Sequence, residues 1–350
     1  MAEAEQALTP EPDVPTPKEP KSREPRRLIE IIPSQLEALR VYHRAVLETE
    51  AVEAVHKMRV TTRRLQASLD LLERQMKVRK FKKRLRNCRR ALSRVRNYDV
   101  FLELIEKEAG SRRRVHRERF ELVKAILQQR RVRRAAKVRD FIERISPEEI
   151  AASLGVRIAY ITETPEPARA DGAQDSLAPP ETEPPSLAID EGRVAGYAAD
   201  RLDQRLAEFQ ALVAQSHPTT DPAELHQLRI AAKRVRYLLE IVSEMGYGDV
   251  SRALAWLRTL QDRIGDWHDL EALEEEIIAI VSKREFMKHH LTESSGMLQA
   301  ASHLQKKKVA LVSRLFPVRV PRHLETTSQR IARALRRHSM RDQAPPGLNK

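Results

Sequence analysis

The sequence predicts an all-α fold of helical hairpins packed into bundles, with an internal repeat that gives two similar halves arranged about a pseudo-two-fold axis. Apolar residues recur at alternating intervals of three and four, as they do on one face of a helix. No segment shows sustained alternation of period two, and the 350 residues include only ten glycines for tight turns. Hydrophobic residues make up 41% of the chain, which is enough for a substantial core.

The first predicted bundle lies within residues 30–162. Ser34 and Glu37 have the spacing of a capping box, which predicts that a helix begins at Ser34. The next helices are predicted over Val52–Met76, along the apolar seam Phe81–Val95, and over Asn97–Ala109 and Arg112–Ile145.

The second predicted bundle lies within residues 191–340. The glycines at Gly246 and Gly248 and the pair His217-Pro218 predict turns between its helices. The helices are predicted over Asp190–Gln215, Asp221–Met245, Val250–Ile264 and Trp267–Lys283, with further helix to about Leu315.

Two acidic, proline-rich stretches flank these bundles. Residues 1–25 carry a net charge of −3 and residues 163–192 a net charge of −7, and together they hold twelve of the twenty prolines. Such composition predicts a disordered tail (1–25) and a disordered linker (163–190). The whole chain carries +14, so the remainder carries +24. This excess predicts a polyanionic partner.

The remaining composition predicts a soluble protein of the cytoplasm. The single cysteine, Cys88, excludes a disulfide framework and a cysteine-based zinc site. The chain has no apolar run long enough to span a membrane, and its acidic N-terminus lacks the features of a signal peptide. We therefore expect no membrane contact.

The most specific pattern is a motif that occurs twice, with a constant displacement of 170 residues. Both copies have the form His-x-x-Arg-(Val/Ile)-x-x-(Arg/Lys)-Arg. The first copy is His56, Arg59, Val60, Arg63 and Arg64, and the second is His226, Arg229, Ile230, Lys233 and Arg234. A weaker repeat relates Arg96-Asn97 to His268-Asp269 with a displacement of 172. The repetition predicts two similar halves.

Helical geometry places the cations of each motif together. At about 100° per residue, His56, Arg59 and Arg63 project within about 60° of one another. Cations held this close repel one another unless an anion lies between them, and guanidinium groups suit phosphate oxygens. The motif therefore predicts a phosphate-binding surface.

The duplicated motif resembles that of the CHAD (conserved histidine α-helical domain) family. The segment from Leu92 to Val100 is also similar to the family's Leu-Gly-x-x-Arg-Asp-x-Asp-Val pattern, although Ser93 and Asn97 replace its glycine and aspartate. The similarity extends over about residues 30–340. No Glu-x-Glu-x-Lys motif of the CYTH domain, to which CHAD domains are often fused, occurs in the sequence.

The resemblance implies two four-helix bundles related by a pseudo-two-fold axis, with a basic groove between them, and a protein that binds inorganic polyphosphate. It also implies location at polyphosphate granules, with granule proteins or polyphosphate-metabolising enzymes as further partners. The ligand-binding residues that it implies are His56, Arg59, Arg63, Arg64, Arg86, Arg90, His226, Arg229, Lys233, Arg234, Arg236 and Arg258.

Other chemistries fit less well. Glu53 and His56 have the spacing of a di-iron ligand pair, but the second half lacks a matching pair, so we expect no metal site. No phosphate loop or nucleophile motif is present, and we expect neither cofactor nor catalysis. The alternative function is nucleic-acid binding through the same basic surface, although only 4% of residues are aromatic and available for base stacking.

The histidines give an expectation for pH dependence. Arginine and lysine do not ordinarily titrate between pH 6 and 8, whereas histidine does. We therefore expect His56 and His226 to account for any rise in polyanion affinity as the pH falls.

Overall fold

The computed structural model describes residues 25–49, 51–110, 114–154, 189–217 and 221–343. These residues form eleven helices and no strand, which confirms the all-α class. The helices are α1 (Leu28–Thr49), α2 (Val52–Leu71), α3 (Arg79–Gly110), α4 (Arg114–Glu143), α5 (Pro147–Ser153), α6 (Glu191–Gln215), α7 (Pro222–Glu244), α8 (Ser251–Val281), α9 (Arg284–His289), α10 (Leu291–Leu315) and α11 (Arg322–Gln343). The predicted tail and linker lie almost wholly outside the described residues.

Each half of the chain forms a four-helix bundle, as predicted. In the first half α1 packs against α2, α2 against α3, α3 against α4, and α4 back against α1. In the second half α6, α7, α8 and α11 close a ring in the same way. The short helix α5 packs on α1, and α10 packs on α8.

The two halves also share a hydrophobic core. Helix α2 contacts α7, α3 contacts α8, and α4 contacts α10. At the far ends of these helices Phe101 (α3), Phe120 (α4), Leu273 (α8) and Met297 (α10) belong to one buried cluster. The bundles are therefore joined along their length rather than linked by a flexible connection.

The burial pattern agrees with the sequence repeat. Every residue from Met58 to Leu72 has the same degree of burial as the residue 170 positions later, from Leu228 to Val242. Helices α2 and α7 thus present equivalent faces to equivalent surroundings. The pseudo-two-fold axis itself stays a prediction.

The predicted start of the first helix is wrong. Helix α1 begins at Leu28, so Ser34 lies inside it and does not cap its N-terminus. Pro33 removes one backbone hydrogen bond, but Leu28, Ile31 and Ile32 are fully buried and extend the apolar face by more than one turn. Burial of these side chains outweighs the missing hydrogen bond.

Several other boundaries differ from those predicted. The helices predicted to end near Val95 and Ile264 continue without a break through α3 and α8, since neither segment contains a proline. Helix α4, predicted to end at Ile145, ends at Glu143, and Ser146 then caps α5, because its Oγ accepts a hydrogen bond from the N–H of Glu149 at 3.0 Å. Helix α11 was not predicted.

The turn between α7 and α8 is confirmed. Gly246 and Gly248 have φ values of 86° and 128°, which other residues rarely adopt. A Cβ at Gly246 would lie 2.4 Å from the Cβ of Pro25, so the turn also accommodates the chain just before α1.

Candidate functional site

Helices α2 and α7 bring the two copies of the motif face to face. Their apolar residues are buried in the bundles, whereas the adjoining cationic positions are half-buried where the two helices meet. We call the four residues at this contact the basic cluster: Arg59 and Arg63 from α2, and Arg229 and Lys233 from α7. In the part of the chain that the structure describes, none of the four forms an ion pair with a carboxylate.

Lys233 shows how strongly these charges act on one another. Burial, and then the charges of Arg229, Arg63, Arg59 and Arg236, lower its pKa from 10.5 to about 6. The four charged groups that act on it most strongly are all guanidinium groups. An ammonium group in this position lacks the anion that would stabilise it.

The arginines of the basic cluster carry unused hydrogen-bond donors. The Nε atoms of Arg59 and Arg229 are buried and have no hydrogen-bond partner. Burial, together with the charges of Arg63, Arg96 and Arg229, lowers the pKa of Arg59 to about 10. Buried donors are almost always satisfied in folded proteins, so these atoms indicate that an acceptor is absent from the protein itself.

Tyr237 is the polar neutral group that contacts the cluster. Its side chain is buried, and its hydroxyl accepts a long hydrogen bond of 3.5 Å from Nη1 of Arg63. The equivalent residue in the first half is Ala67, so this contact is made from one side only. Tyr237 positions Arg63 but does not neutralise its charge.

The histidines of the motif lie at the start of α2 and α7, beside the cluster. Partial desolvation and the charge of Arg96 lower the pKa of His56, and desolvation and Arg229 lower that of His226. The His226 ring lies 5.5 Å from that of His268, centroid to centroid. Both motif histidines are therefore neutral near pH 7 in the unliganded protein.

Neighbouring helices contribute residues that the motif did not predict. Besides burial, the charge of Arg96 on α3 lowers the pKa values of both His56 and Arg59. On α8, burial and the charge of Arg229 lower the pKa of His268 to about 4. Arg96 and His268 are the equivalent residues of the weaker repeat, so that repeat was the sequence feature that could have identified them as site residues.

One carboxyl group lies close to this region. Burial raises the pKa of Asp269, whereas the charges of Arg229 and Arg96 act in the opposite direction. Asp269 replaces the Asn97 of the first half. Its charge partly offsets that of Arg229, but it does not reach the ion-pair distance of any cation in the described part of the chain.

The other predicted ligand residues lie outside the basic cluster. Arg64 and Arg234 are exposed, and Arg234 approaches Glu208 of α6 at 3.8 Å. Arg236 and Arg258 both approach Glu240, at 3.7 and 3.8 Å. Arg86 and Arg90 are exposed on α3.

Two other kinds of feature are absent from the described residues. They contain no group of three histidine, cysteine, aspartate or glutamate side chains that could hold a metal ion. None of their helices combines the length and apolar composition that a membrane-spanning helix needs.

Comparison with known proteins identifies a family that matches most of this chain. A family model described as "CHAD domain" matches residues 30–277, which is most of the chain. A crystal structure of the CHAD domain from the plant Ricinus communis is similar, with a TM-score of 0.56, 18% identity, and coverage of 85% of this chain and 94% of that one. PptA from Streptomyces chartreusis is similar with a TM-score of 0.50 and 18% identity, covering 83% of this chain and 96% of that one. No curated protein matches the chain.

Proposed function

Since the chain belongs to the CHAD domain family, which is associated with polyphosphate binding, we propose that it binds inorganic polyphosphate in the basic cluster between α2 and α7. In this proposal one phosphate chain lies between the two motif copies and contacts both helices. His56 and His226 contribute at the edges of the cluster, and Arg96 of α3 adds a further cation.

One observation carries the proposal. Four half-buried cations from two helices converge without a carboxylate in ion-pair contact among the described residues. Burying like charges together is costly, and a protein usually offsets that cost with acidic partners. A bound polyanion would supply the missing charge and accept hydrogen bonds from the unpaired Nε atoms of Arg59 and Arg229.

The arrangement favours a ligand that consists of phosphates alone. Proteins that bind single-stranded nucleic acid combine a cationic groove for the backbone with exposed aromatic rings on which the bases stack. Tyr237, the aromatic side chain in contact with the cluster, is buried and holds Arg63 rather than offering a ring face to a base. A polyphosphate chain needs only cations and N–H donors, which are the groups that the cluster presents.

The remaining parts of the proposal follow from binding. We propose that the protein acts by binding and not by catalysis, and that it resides in the cytoplasm. Polyphosphate held in the cluster would also attach the protein to polyphosphate granules, where granule proteins and polyphosphate-metabolising enzymes would be its neighbours.

Competition binding tests the proposal. The Arg59→Gln, Arg63→Gln variant should lose polyphosphate affinity by at least tenfold, because each shielded charge-assisted contact is worth about 1.5–3 kcal/mol. The control is Arg133→Gln, Lys137→Gln, which removes two exposed cations of α4 and should lower affinity far less. Single-stranded nucleic acid, at equal phosphate concentration, should displace polyphosphate poorly. Equal displacement, or equal losses in the two variants, would contradict the proposal.

A further inference from the structure

Helix α3 carries a second set of cations, separate from the basic cluster. Arg79, Lys83, Arg86, Arg90 and Arg94 are spaced 4-3-4-4, and all five are exposed. At about 100° per residue they fall within about 80° of one another around the helix. We call them the α3 stripe, and at 1.5 Å per residue they extend over roughly 22 Å.

Among the described residues the cations of the α3 stripe have no acidic partner, whereas other cations of the same helix have one. Off the stripe, Lys82 lies 2.7 Å from Asp70, and Arg84 lies 3.1 Å from Glu149. In the described part of the chain no ion pair involves a residue of the stripe. Like charges at this spacing destabilise a helix, and the first turn of α3 also lacks the acidic residues that usually occur there.

The equivalent face of α8 has no such stripe. With the displacement of 172 residues, the matching positions are Ser251, Ala255, Arg258, Asp262 and Asp266, and these five are also exposed. Their one base and two acids give a net charge of −1, against +5 for the α3 stripe. The one base, Arg258, already approaches Glu240 at 3.8 Å. Of these two equivalent helices, only α3 therefore carries the accumulated charge.

The α3 stripe is continuous with the basic cluster. Arg89 is the half-buried arginine beside Arg86 and Arg90 on α3. Burial and the charges of Arg63, Arg86 and Arg90 lower the pKa of Arg89. Nη1 of Arg89 donates a hydrogen bond of 2.6 Å to Oε1 of Gln66 on α2. Arg89 thus connects the exposed stripe to the half-buried cluster.

We propose that a long polyphosphate chain leaves the basic cluster on one side only, along the α3 stripe, so that the protein prefers long chains to short ones. This proposal rests on the proposed function. A linear polyanion carries a negative charge at every unit, so it can contact successive cations along a helix. Each exposed contact is weak, but several contacts along one bound chain add together.

Chain-length dependence tests the proposal. The triple variant Arg79→Gln, Lys83→Gln, Arg94→Gln removes exposed cations of the stripe and leaves Arg86, Arg90 and the basic cluster intact. Its affinity for tripolyphosphate should stay within twofold, whereas its affinity for long-chain polyphosphate should fall about tenfold, from three contacts of roughly 0.5 kcal/mol each. The dependence of long-chain affinity on salt should also become less steep, by about 0.7 for each lost contact.

A matched control separates the stripe from net charge. The triple variant Arg133→Gln, Lys137→Gln, Arg333→Gln changes the net charge equally at exposed positions of α4 and α11. It should leave the ratio of long-chain to tripolyphosphate affinity unchanged. Equal losses of long-chain affinity in the stripe and control variants would overturn the proposal, as would an equal loss of tripolyphosphate affinity in the stripe variant.

A gain-of-function variant tests the one-sidedness. Ala255→Lys, Asp262→Lys, Asp266→Lys gives α8, together with Arg258, four of the five cations of the α3 pattern and should raise long-chain affinity, with little effect on tripolyphosphate. No gain would overturn the claim that the missing cations of α8 make the exit one-sided. If single-stranded DNA at equal phosphate concentration displaces long-chain polyphosphate from the parent as well as polyphosphate itself does, polyphosphate is not the specific occupant of the stripe. If the parent binds polyphosphate of neither length, the proposed function fails; if it binds both and the stripe variant equals its control, the stripe alone fails.

Discussion

Lys233 is the residue at which the cost of the basic cluster is concentrated. Its pKa of about 6 means that the amine is largely neutral at pH 7 in the unliganded protein, because burial and four guanidinium groups disfavour the ammonium form. Unfolding removes both effects, and the amine regains its usual pKa of 10.5. The unfolded chain therefore binds the proton of Lys233 more tightly than the folded protein does. This difference destabilises the fold at pH values below 10.5, where the unfolded chain holds the proton.

The substitution Lys233→Met should accordingly stabilise the unliganded protein. The gain should be greatest below about pH 6, where the folded protein must hold the charged form, and should fade as the pH rises towards 10.5. Thermal unfolding without polyanion measures it, with a rise in Tm of about 1–2 °C per kcal/mol in a chain of 350 residues. The exposed-site control Lys137→Met should change little. A fall in Tm at every pH would show that the ammonium group of Lys233 is stabilised in the fold.

The same residue changes the expected pH dependence of binding. A bound polyanion favours the charged forms of Lys233, His56 and His226 and raises their pKa values, so that binding takes up protons. The affinity should then rise as the pH falls from 8 to about 6 and below. The sequence assigned this effect to the histidines alone, but the structure adds a lysine that titrates in the same range.

Variants separate the two contributions to pH dependence. The double variant His56→Gln, His226→Gln should retain part of the rise in affinity on acidification, because Lys233 still titrates. Addition of Lys233→Arg should remove most of the remainder, because arginine keeps its charge. Binding isotherms across this pH range supply the test. If the histidine variant already lacks pH dependence, Lys233 is charged in the unliganded protein.

At the scale of the elements, the C-terminal end of α2 is held by a carboxylate shared between two other helices. Asp70 lies 2.7 Å from Lys82 of α3 and 3.2 Å from Arg205 of α6, and all three side chains are mostly buried. Helix α6 belongs to the second half, so Asp70 helps to fix the relative position of the bundles that form the basic cluster.

The substitution Asp70→Asn should lower the free energy of unfolding by about 1–3 kcal/mol, because it removes the carboxylate that Arg205 contacts and leaves Lys82 with Glu73 as its remaining acidic partner. Urea denaturation measures the loss. Glu53→Gln, which removes a more exposed partner from Lys57 at 3.6 Å, is the control and should cost well under 1 kcal/mol. Equal effects of the two substitutions would mean that Asp70 is no more than a surface charge.

Periodicity predicted the existence of most helices but not all of their ends. The seam of α2 was visible because its buried residues repeat every three or four positions within one helix. The start of α1 depended on how deeply Leu28 and Ile31 are buried, which is set by other helices. The continuity of α3 and α8 depended on the core that their far ends share, and the local sequence carries no sign of that contact.

At the scale of the whole molecule, buried polar contacts join the halves near the shared core. Glu108 of α3 is almost fully buried and pairs with Lys307 and His303 of α10, His303 at 3.2 Å. Although burial opposes it, hydrogen bonds from these two side chains hold the pKa of Glu108 below its usual value. A carboxylate whose pKa is lowered by folding stabilises the fold above its unfolded pKa and loses that effect as the pH falls through its folded pKa.

The substitution Glu108→Gln should therefore destabilise the protein by about 1–3 kcal/mol near neutral pH. The difference from the parent should shrink as the pH falls below 4.5, the usual value for glutamate, and through the lowered pKa of folded Glu108. Unfolding free energies measured across this range provide the test, with the exposed Glu285→Gln as control. A difference that stays constant down to pH 3 would contradict the ion pair.

The candidate site could be predicted from sequence to the extent that it repeats. The duplicated motif identified Arg59, Arg63, Arg229 and Lys233, which the structure brings together. It could not identify Arg89 of α3, because helical geometry relates residues of one helix only. Nor could it show that Arg236 and Arg258 share Glu240, since that contact joins α7 to α8.

The central claim is that the two motif copies form one polyphosphate site, and a four-protein comparison tests it most directly. The four proteins are the parent, the double variant Arg59→Gln/Arg63→Gln, the double variant Arg229→Gln/Lys233→Gln, and the variant with all four changes. Circular dichroism first shows that each is folded, and calorimetry then measures its affinity for polyphosphate. One shared site predicts that either pair alone removes most of the affinity, and that the combined loss is much smaller than the sum of the two losses. Losses that add, or an affinity within twofold of the parent for either pair, would contradict it.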